Sequence, residues 1–408
     1  MKTLLWPLGL AALLLCPTVA SAQPTATDPP HLTLEQAQRL AATRNPELSS
    51  AQHEVDAATG GVQQAGAWRN PELTATVEDM RSGTRTTTAT IGIPLELGGK
   101  RSARISAAER ARDLASAQLA TAKAKVRAQV AERYFALVIA QDRVDLAKDS
   151  ATLAARASDV VAKRVEAGKV SPVDATRARI DAVNAQLELA QARAELQTAR
   201  QALAVLWGDS QPPFDQVDGS TATVPPGRPL AQLLSDVDSA PALRASRLDV
   251  DSRKALVDVE RSKATPDVIL SVGARRDNEL GLTQAVVGIS VPLPLFDRNQ
   301  GAVHEASRRA DKARDDYEAS RIQLVSDISQ AATQLATAQA ALALLRDSVL
   351  PATRQAYDAA TTGFEAGKFG FLDVIDAQRS LLQARSRYLN TLAAAYQAST
   401  TIDRLLGR

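Results

Sequence analysis

The feature that most constrains this chain is a packing register that occurs twice. Leu324, Ile328, Ala331, Leu335, Ala338, Leu342, Leu345 and Val349 alternate steps of four and three, the spacing of a heptad seam. Moving 198 positions towards the N-terminus lands on Val126, Val130, Arg133, Leu137, Ala140, Val144, Ala147 and Ala151, with the same steps and one charged exception. Each seam runs towards the tetrapeptide Glu-Ala-Gly-Lys, at 166–169 and 365–368, and a second helical pattern runs out of it. Each Gly-centred break therefore predicts the tip of a helical hairpin. A duplication preserves the phase of a seam as well as its composition, so the chain reads as two tandem copies of one unit.

The copies span 23–208 and 230–408, and the connector 209–229 is rich in Pro, Gly, Asp, Ser and Thr. The first copy opens with a helix expected over His31–Gly66. After Arg69-Asn70-Pro71, Leu73, Ala75 and Val77 alternate with polar residues, and beyond Ser82-Gly83 so do Thr87, Ala89, Ile91 and Ile93. Two period-two runs of about ten residues around a short polar turn predict a β-hairpin, here over 71–95. From Lys100 to about Glu166 no Pro or Gly interrupts the helical pattern, and such a rod spans roughly 100 Å. The tip near Gly168 and a return helix from Pro172 to Leu206 complete the copy.

The second copy repeats this order: a helix over Leu230–Lys263, a hairpin over 266–293, a rod with a kink expected at Pro351, a tip near Gly367 and a return helix over Leu372–Leu406. In each copy the helix before the hairpin and the return helix, stacked end to end, match the rod in length. The fold class that follows is mainly α with a small β part. Short strands or 3₁₀ turns are both open to the connector.

Composition agrees with rods packed through small side chains: 45% of the 408 residues are hydrophobic but only 3% aromatic. Charged residues make up 23% at a net charge of +2, which leaves no nucleic-acid footprint. Lys2, the apolar run to Leu15 and Ala20-Ser21-Ala22 form an export signal over 1–22, with the mature chain expected from Gln23. Cys16 lies between Leu15 and Pro17, without the small preceding residue that lipidation prefers, so no lipid anchor is expected. After the signal no apolar run is long enough for a membrane-spanning helix, which leaves an exported soluble protein or a β-barrel. Four strands cannot close a membrane barrel, so a barrel must be shared between chains, in a dimer or a trimer.

Candidate functional residues cluster at the tips. Gly168 and Gly367 are turn glycines of the positive-φ kind, flanked by the exposed Lys169 and Lys368. Asp373 and Asp376 lie three apart at a helix start and share a face, and Asp174 holds the matching place after the first tip. In an oligomer each would become an acidic ring, which favours cations in a pore; as isolated residues they are helix N-terminal acids favoured by the macrodipole. His31, His53 and His304 are scattered, and no metal-ligand spacing, phosphate loop or nucleophile motif is present. No metal site, cofactor or enzymatic activity is expected.

With these residues in hand, the sequence resembles the TolC-like outer-membrane efflux factors, in particular their heavy-metal (CzcC-like) branch. The resemblance covers nearly the whole mature chain. It rests on Asn45-Pro46-Glu47-Leu48, Asn70-Pro71-Glu72-Leu73, the stretches 94–101 (PLELGGKR) and 292–301 (PLPLFDRNQG), and both tips. It implies a homotrimer whose twelve strands form one barrel in outer-membrane lipid, and a periplasmic helical tunnel. The tips, with Gly168, Lys169, Gly367 and Lys368, would dock on an adaptor protein and receive substrate from a proton-driven inner-membrane pump. It implies lumen-facing carboxylates at Asp373 and Asp376, and a closing contact at Asp174. Where multidrug members carry a basic residue, this chain has Phe369, and Phe364 stands where they often have Tyr; an apolar contact is therefore expected to replace their polar latch. Heavy-metal efflux is the leading functional reading. A multidrug or protein-secretion duct is the second, and a soluble periplasmic coiled-coil scaffold the third.

Overall fold

The structure, a computed structural model, describes residues 31–212 and 214–408. The expected export signal, with Cys16, lies outside the described residues. β1 (His31–Leu32) leads into α1 (Leu34–Arg44) and α2 (Pro46–Gly66). β2 (Glu72–Glu78) and β3 (Thr86–Leu95) form the first hairpin, α3 (Lys100–Glu166) is the first rod, and α4 (Pro172–Ala204) returns from its tip. The connector carries β4 (Gln216–Val217). The second copy contains α5 (Leu230–Ser235), α6 (Pro241–Lys263), β5 (Val268–Asp277), β6 (Leu282–Ser290), α7 (Gln300–Leu344), a π-helical turn at Leu345–Val349, α8 (Leu350–Glu365) and α9 (Phe371–Leu406).

Two expected single helices are broken, both at proline. The helix expected over His31–Gly66 starts as strand β1 and divides at Asn45. Asn45 is extended at ψ 123°, its Oδ1 accepts from the Leu48 amide at 3.1 Å, and Pro46 begins α2. The helix expected over Leu230–Lys263 becomes α5, a 3₁₀ turn at Val237–Ser239, and α6 starting at Pro241. Proline lacks an amide hydrogen and pushes the residue before it out of the helical region, so an old helix ends and a new one starts.

These breaks are where the short helices meet end to end beside the rods. Asn45 Nδ2 donates to the Leu206 carbonyl at 2.7 Å, joining the end of the first return helix to the α1–α2 break. In the second copy Arg408 pairs with Asp236, and Gly407 sits so close to Pro241 that a Cβ there would lie 2.3 Å from the ring. Gly208 (φ 85°) and Gly407 (φ 75°) close the two return helices in the left-handed conformation. α2 and α4 both pack along α3; α6 and α9 pack along α7, and α6 and α9 also contact α3.

The second rod is interrupted by the π turn just before Pro351, the expected kink. The seam keeps an offset of 198 between the copies as far as Leu345 against Ala147, whereas the tip glycines, Gly168 and Gly367, are 199 apart. One extra residue has been fitted between seam and tip, and a π turn is how a helix takes one in without ending. Seven of the eight second-copy seam residues are buried, Val349 being the exception. In the first copy Arg133 is exposed, Val144 and Ala147 are half-buried, and the other five are buried.

The bulky core lies at the level of the connector. Leu32, Val130, Leu137, Leu203, Trp207 and Phe214 form one cluster; Ile328, Leu342, Leu392 and Ile402 belong to the other. Nearer the first tip the contact shrinks to Ala151, Ala154 and Ala185. β4 pairs in parallel with β1, Leu32 opposite Val217. Three tyrosines hold the chain around the connector: Tyr134 Oη donates to the Leu32 carbonyl at 3.0 Å and contacts the Asp218 carbonyl, Tyr388 Oη donates to Thr221 at 2.9 Å, and Tyr396 Oη to Thr223 at 2.8 Å. Burial, with the Asp218 charge nearby, pushes the Tyr134 phenol up to about 12. Its contribution to stability is therefore complete below about pH 10, the unfolded value, and is lost as pH rises through about 12. Tyr134→Phe is expected to lower stability by about 1–2 kcal/mol and to remove this alkaline loss, as read by denaturant unfolding at pH 7 and pH 11.

The four strands form one antiparallel sheet in the order β2-β3-β5-β6. Its register separates two chemistries. On one face lie the rows Leu73, Ile91, Val272, Val287 and Ala75, Ala89, Ala274, Ala285, with Ile93, Leu270 and Ile289 beside them. On the other lie Glu72, Gly92, Ser271, Gly288, then Thr74, Thr90, Gly273, Val286, then Thr76, Thr88, Arg275, Gln284. Within the chain the apolar face is uncovered, with Val287 80% and Ile289 70% exposed. An apolar face of this extent against water is not a stable surface for a soluble monomer.

Candidate functional site: the hairpin tips

The tips are built from backbone geometry. At the end of α3 the Gly168 amide donates to Val165 and the Lys169 amide to Arg164, both at 2.9 Å. At the end of α8 the Gly367 amide donates to Phe364 at 3.1 Å and the Lys368 amide to Gly363 at 2.8 Å. These bonds satisfy the last helical carbonyls and require a left-handed residue, which Gly168 (φ 69°) and Gly367 (φ 72°) supply. A Cβ on either glycine would meet nothing within 4 Å, so both tips project from the packed rods. Lys169 and Lys368 are exposed beside them.

Each return helix starts with a side-chain cap. Ser171 Oγ accepts from the Val173 amide at 3.2 Å, and Asp373 Oδ2 accepts from the Gly370 amide at 2.8 Å. Asp373 thus meets the orphan donor at its own helix start and stands one turn from Asp376; both are exposed. Asp174 is half-buried in the first turn of α4.

Phe369 does make an apolar contact, but within its own hairpin. Its ring covers Gly363, where an added Cβ would lie 2.1 Å from Cδ2. The aromatic contact that joins the two hairpins is Phe364, with the Arg164 guanidinium 3.8 Å above the ring centroid. Further from the tips Arg379 on α9 pairs with Asp181 on α4 at 2.6 Å, and Arg143 on α3 reaches both Glu195 on α4 and Asn390 on α9. Between these levels is a cavity of about 440 Å³ of mixed lining, with Ser150, Glu188 and Gln383 beside Leu146, Ala192 and Leu382. Near the tips the hairpins are therefore held at discrete polar points instead of along a dry seam. Neither Arg164 nor the Asp181–Arg379 pair was singled out by the sequence. One signal was available: residues near the same height on duplicated hairpins face each other, and Asp181 and Arg379 are 198 apart.

Among the described residues no group of three or more His, Cys, Asp and Glu is placed to hold a metal ion, and no helix is long and apolar enough to cross a membrane. A rod bundle with projecting tips at one end and an open amphipathic sheet at the other defines a class of channel subunit. The chain belongs to the outer membrane efflux protein family, whose model matches residues 38–209 and again 237–408, once per copy. It is 51% identical over 420 aligned residues, covering 100% of both chains, to the cobalt-zinc-cadmium resistance protein CzcC of Cupriavidus metallidurans. It is 35% identical to the nickel and cobalt resistance protein CnrC of the same organism, over 70% of this chain and 69% of that one. Among solved structures it resembles the outer membrane protein VceC of Vibrio cholerae with a TM-score of 0.77 at 22% identity, covering 92% of this chain and 96% of that one; this likeness concerns the fold. The protein is an outer-membrane efflux channel with a periplasmic helical extension, not an enzyme. The soluble-scaffold reading falls with that membership.

Proposed function

We propose that this chain forms the exit duct of a tripartite system that exports heavy-metal cations, as a homotrimer fed by a periplasmic adaptor and a proton-driven inner-membrane pump. The observation that carries the substrate class is the full-length 51% identity to a cobalt-zinc-cadmium resistance protein. The sheet supports the trimer: β2 and β6 leave unpaired edges, four strands are too few to close, and three copies give a twelve-stranded barrel. The apolar face then meets outer-membrane lipid and the Thr-rich face lines the lumen. The chain is exported by cleavage before Gln23, without lipidation at Cys16. The substrate passes without a tight site, since conduction needs weak binding. Deleting the gene is expected to sensitise cells to one group among zinc, cobalt, cadmium, nickel, copper and silver, with rescue by the restored gene. Sensitivity to drugs alone would overturn the substrate class.

In the trimer Asp373 and Asp376 form two stacked acidic rings at the tunnel end, with Asp174 and Phe369 beside the opening. Gly168, Lys169, Gly367 and Lys368 form the adaptor surface. Asp373→Asn with Asp376→Asn is expected to lower the cation-to-anion permeability ratio several-fold in planar bilayers. An unchanged ratio would reduce both carboxylates to helix-start acids.

A further inference from the structure

The apolar face of the sheet is too short for the membrane it meets. Its outer limit is set by Arg276, which shares a row with Val77, Thr87 and Thr283 and is bonded to the Gly281 carbonyl at 2.9 Å. A charge on the lipid face is tolerated near the interface and not at depth. From the four-alanine row to Leu95 the apolar face occupies six steps of β3, roughly 20 Å along the strand and roughly 15 Å along the membrane normal at barrel tilt. The apolar band of an outer-membrane barrel is about 25 Å tall. The deficit lies at the inner end.

There the chain leaves β6 without leaving the apolar pattern. The outward-facing residues of β6 are Ala285, Val287 and Ile289, and the same odd-numbered alternation continues beyond the strand through Val291 and Leu293. A tight turn follows, the Leu295 amide donating to the Leu293 carbonyl at 2.9 Å. Leu293 is 75% exposed, Leu295 66% and Phe296 92%. Trp68, just before β2 at the same end of the sheet, is 74% exposed on one side while the Arg101 guanidinium lies 4.7 Å from its ring centroid. Trp and other aromatic side chains concentrate at the level of lipid headgroups.

We propose that Val291–Phe296 is the inner margin of the lipid-embedded surface and not a linker in the periplasm, with Phe296 and Trp68 at the headgroup level of the inner leaflet. The occupant is bilayer lipid, because the segment continues an apolar face that itself meets lipid. The inference rests on the barrel reading above. Loss of Leu293 and Phe296 leaves every strand pair intact but shortens the band, so the barrel is held less firmly at its depth.

The test uses full-length protein in phosphatidylcholine vesicles, with Val287→Trp, Leu293→Trp and Phe296→Trp compared with the parent for quenching by acyl-brominated lipids and by aqueous iodide. The expected result is about a twofold loss of the added fluorescence with brominated lipid for all three, strongest from shallow bromines at 296, with little iodide quenching at 293. If Val287→Trp is quenched by lipid while 293 and 296 respond to iodide alone, the segment is periplasmic and this inference falls while the barrel stands. If 293 and 296 respond to neither quencher, a neighbouring protomer covers them and the inference also falls. If Val287→Trp itself is not quenched by lipid, the barrel reading fails first.

Discussion

Gly273→Val is expected to abolish the folded trimer. Gly273 lies in β5 opposite Thr90, and a Cβ there would stand 2.0 Å from the Ala89 carbonyl oxygen and 2.7 Å from the Thr90 Cα. Both are backbone atoms of the neighbouring strand, so no rotamer change relieves the overlap. β3 and β5 join the two sequence copies, and among the described residues no other strand pair does so. Prising them apart splits the sheet into separate hairpins, each marginal alone. The penalty exceeds the ~1–3 kcal/mol usual for overpacking, where side chains can yield. The measurement is the heat-modifiable trimer band and the amount of protein in outer-membrane fractions. Gly301→Ala is the control: in the first turn of α7 an added Cβ meets nothing within 4 Å, and its yield is expected to be unchanged.

Removing the two tethers near the tips, by Arg164→Ala together with Arg379→Ala, is expected to raise single-channel open probability by about thirtyfold or more. The stacking of Arg164 on Phe364 is worth ~0.5–1 kcal/mol at an exposed site, and the Asp181–Arg379 pair, more than half exposed on the arginine side, ~0.2–1 kcal/mol. Neither alone would hold a gate. In a trimer, however, three copies of each act on one aperture, and a sum of about 2–6 kcal/mol shifts a two-state equilibrium by about one and a half to four decades. High salt should weaken the ion pair and raise the open probability of the wild type in the same direction. Equal open probabilities in wild type and double variant would show that the hairpins are held by contacts elsewhere, for example at Arg143.

How far the candidate site could be read in advance differs between its parts. The glycines of both tips, the acids one turn beyond them and the absence of bulk in the rods are local properties, fixed by turn chemistry and a repeating period. The sequence places Phe369 at the tip without saying what it touches; its contact is with Gly363 six residues earlier, across its own turn. Arg164 escaped notice because the rods carry many arginines. Charge on a helical surface is solvated by default, and only the approach of a second hairpin gives one of them a partner.

The sequence alone determined the elements and their duplication, because helical and strand periods and proline breaks act over a few residues and are copied with the chain. It also held the one-residue offset between seam and tip, 198 against 199, whose physical form as a π turn needed the backbone to be seen. Only the tertiary structure decided the pairing of β3 with β5, the parallel β1–β4 strap, and the points where the hairpins touch. Those contacts join residues more than a hundred positions apart. Their choice depends on how whole rods and sheets pack, which no local period encodes.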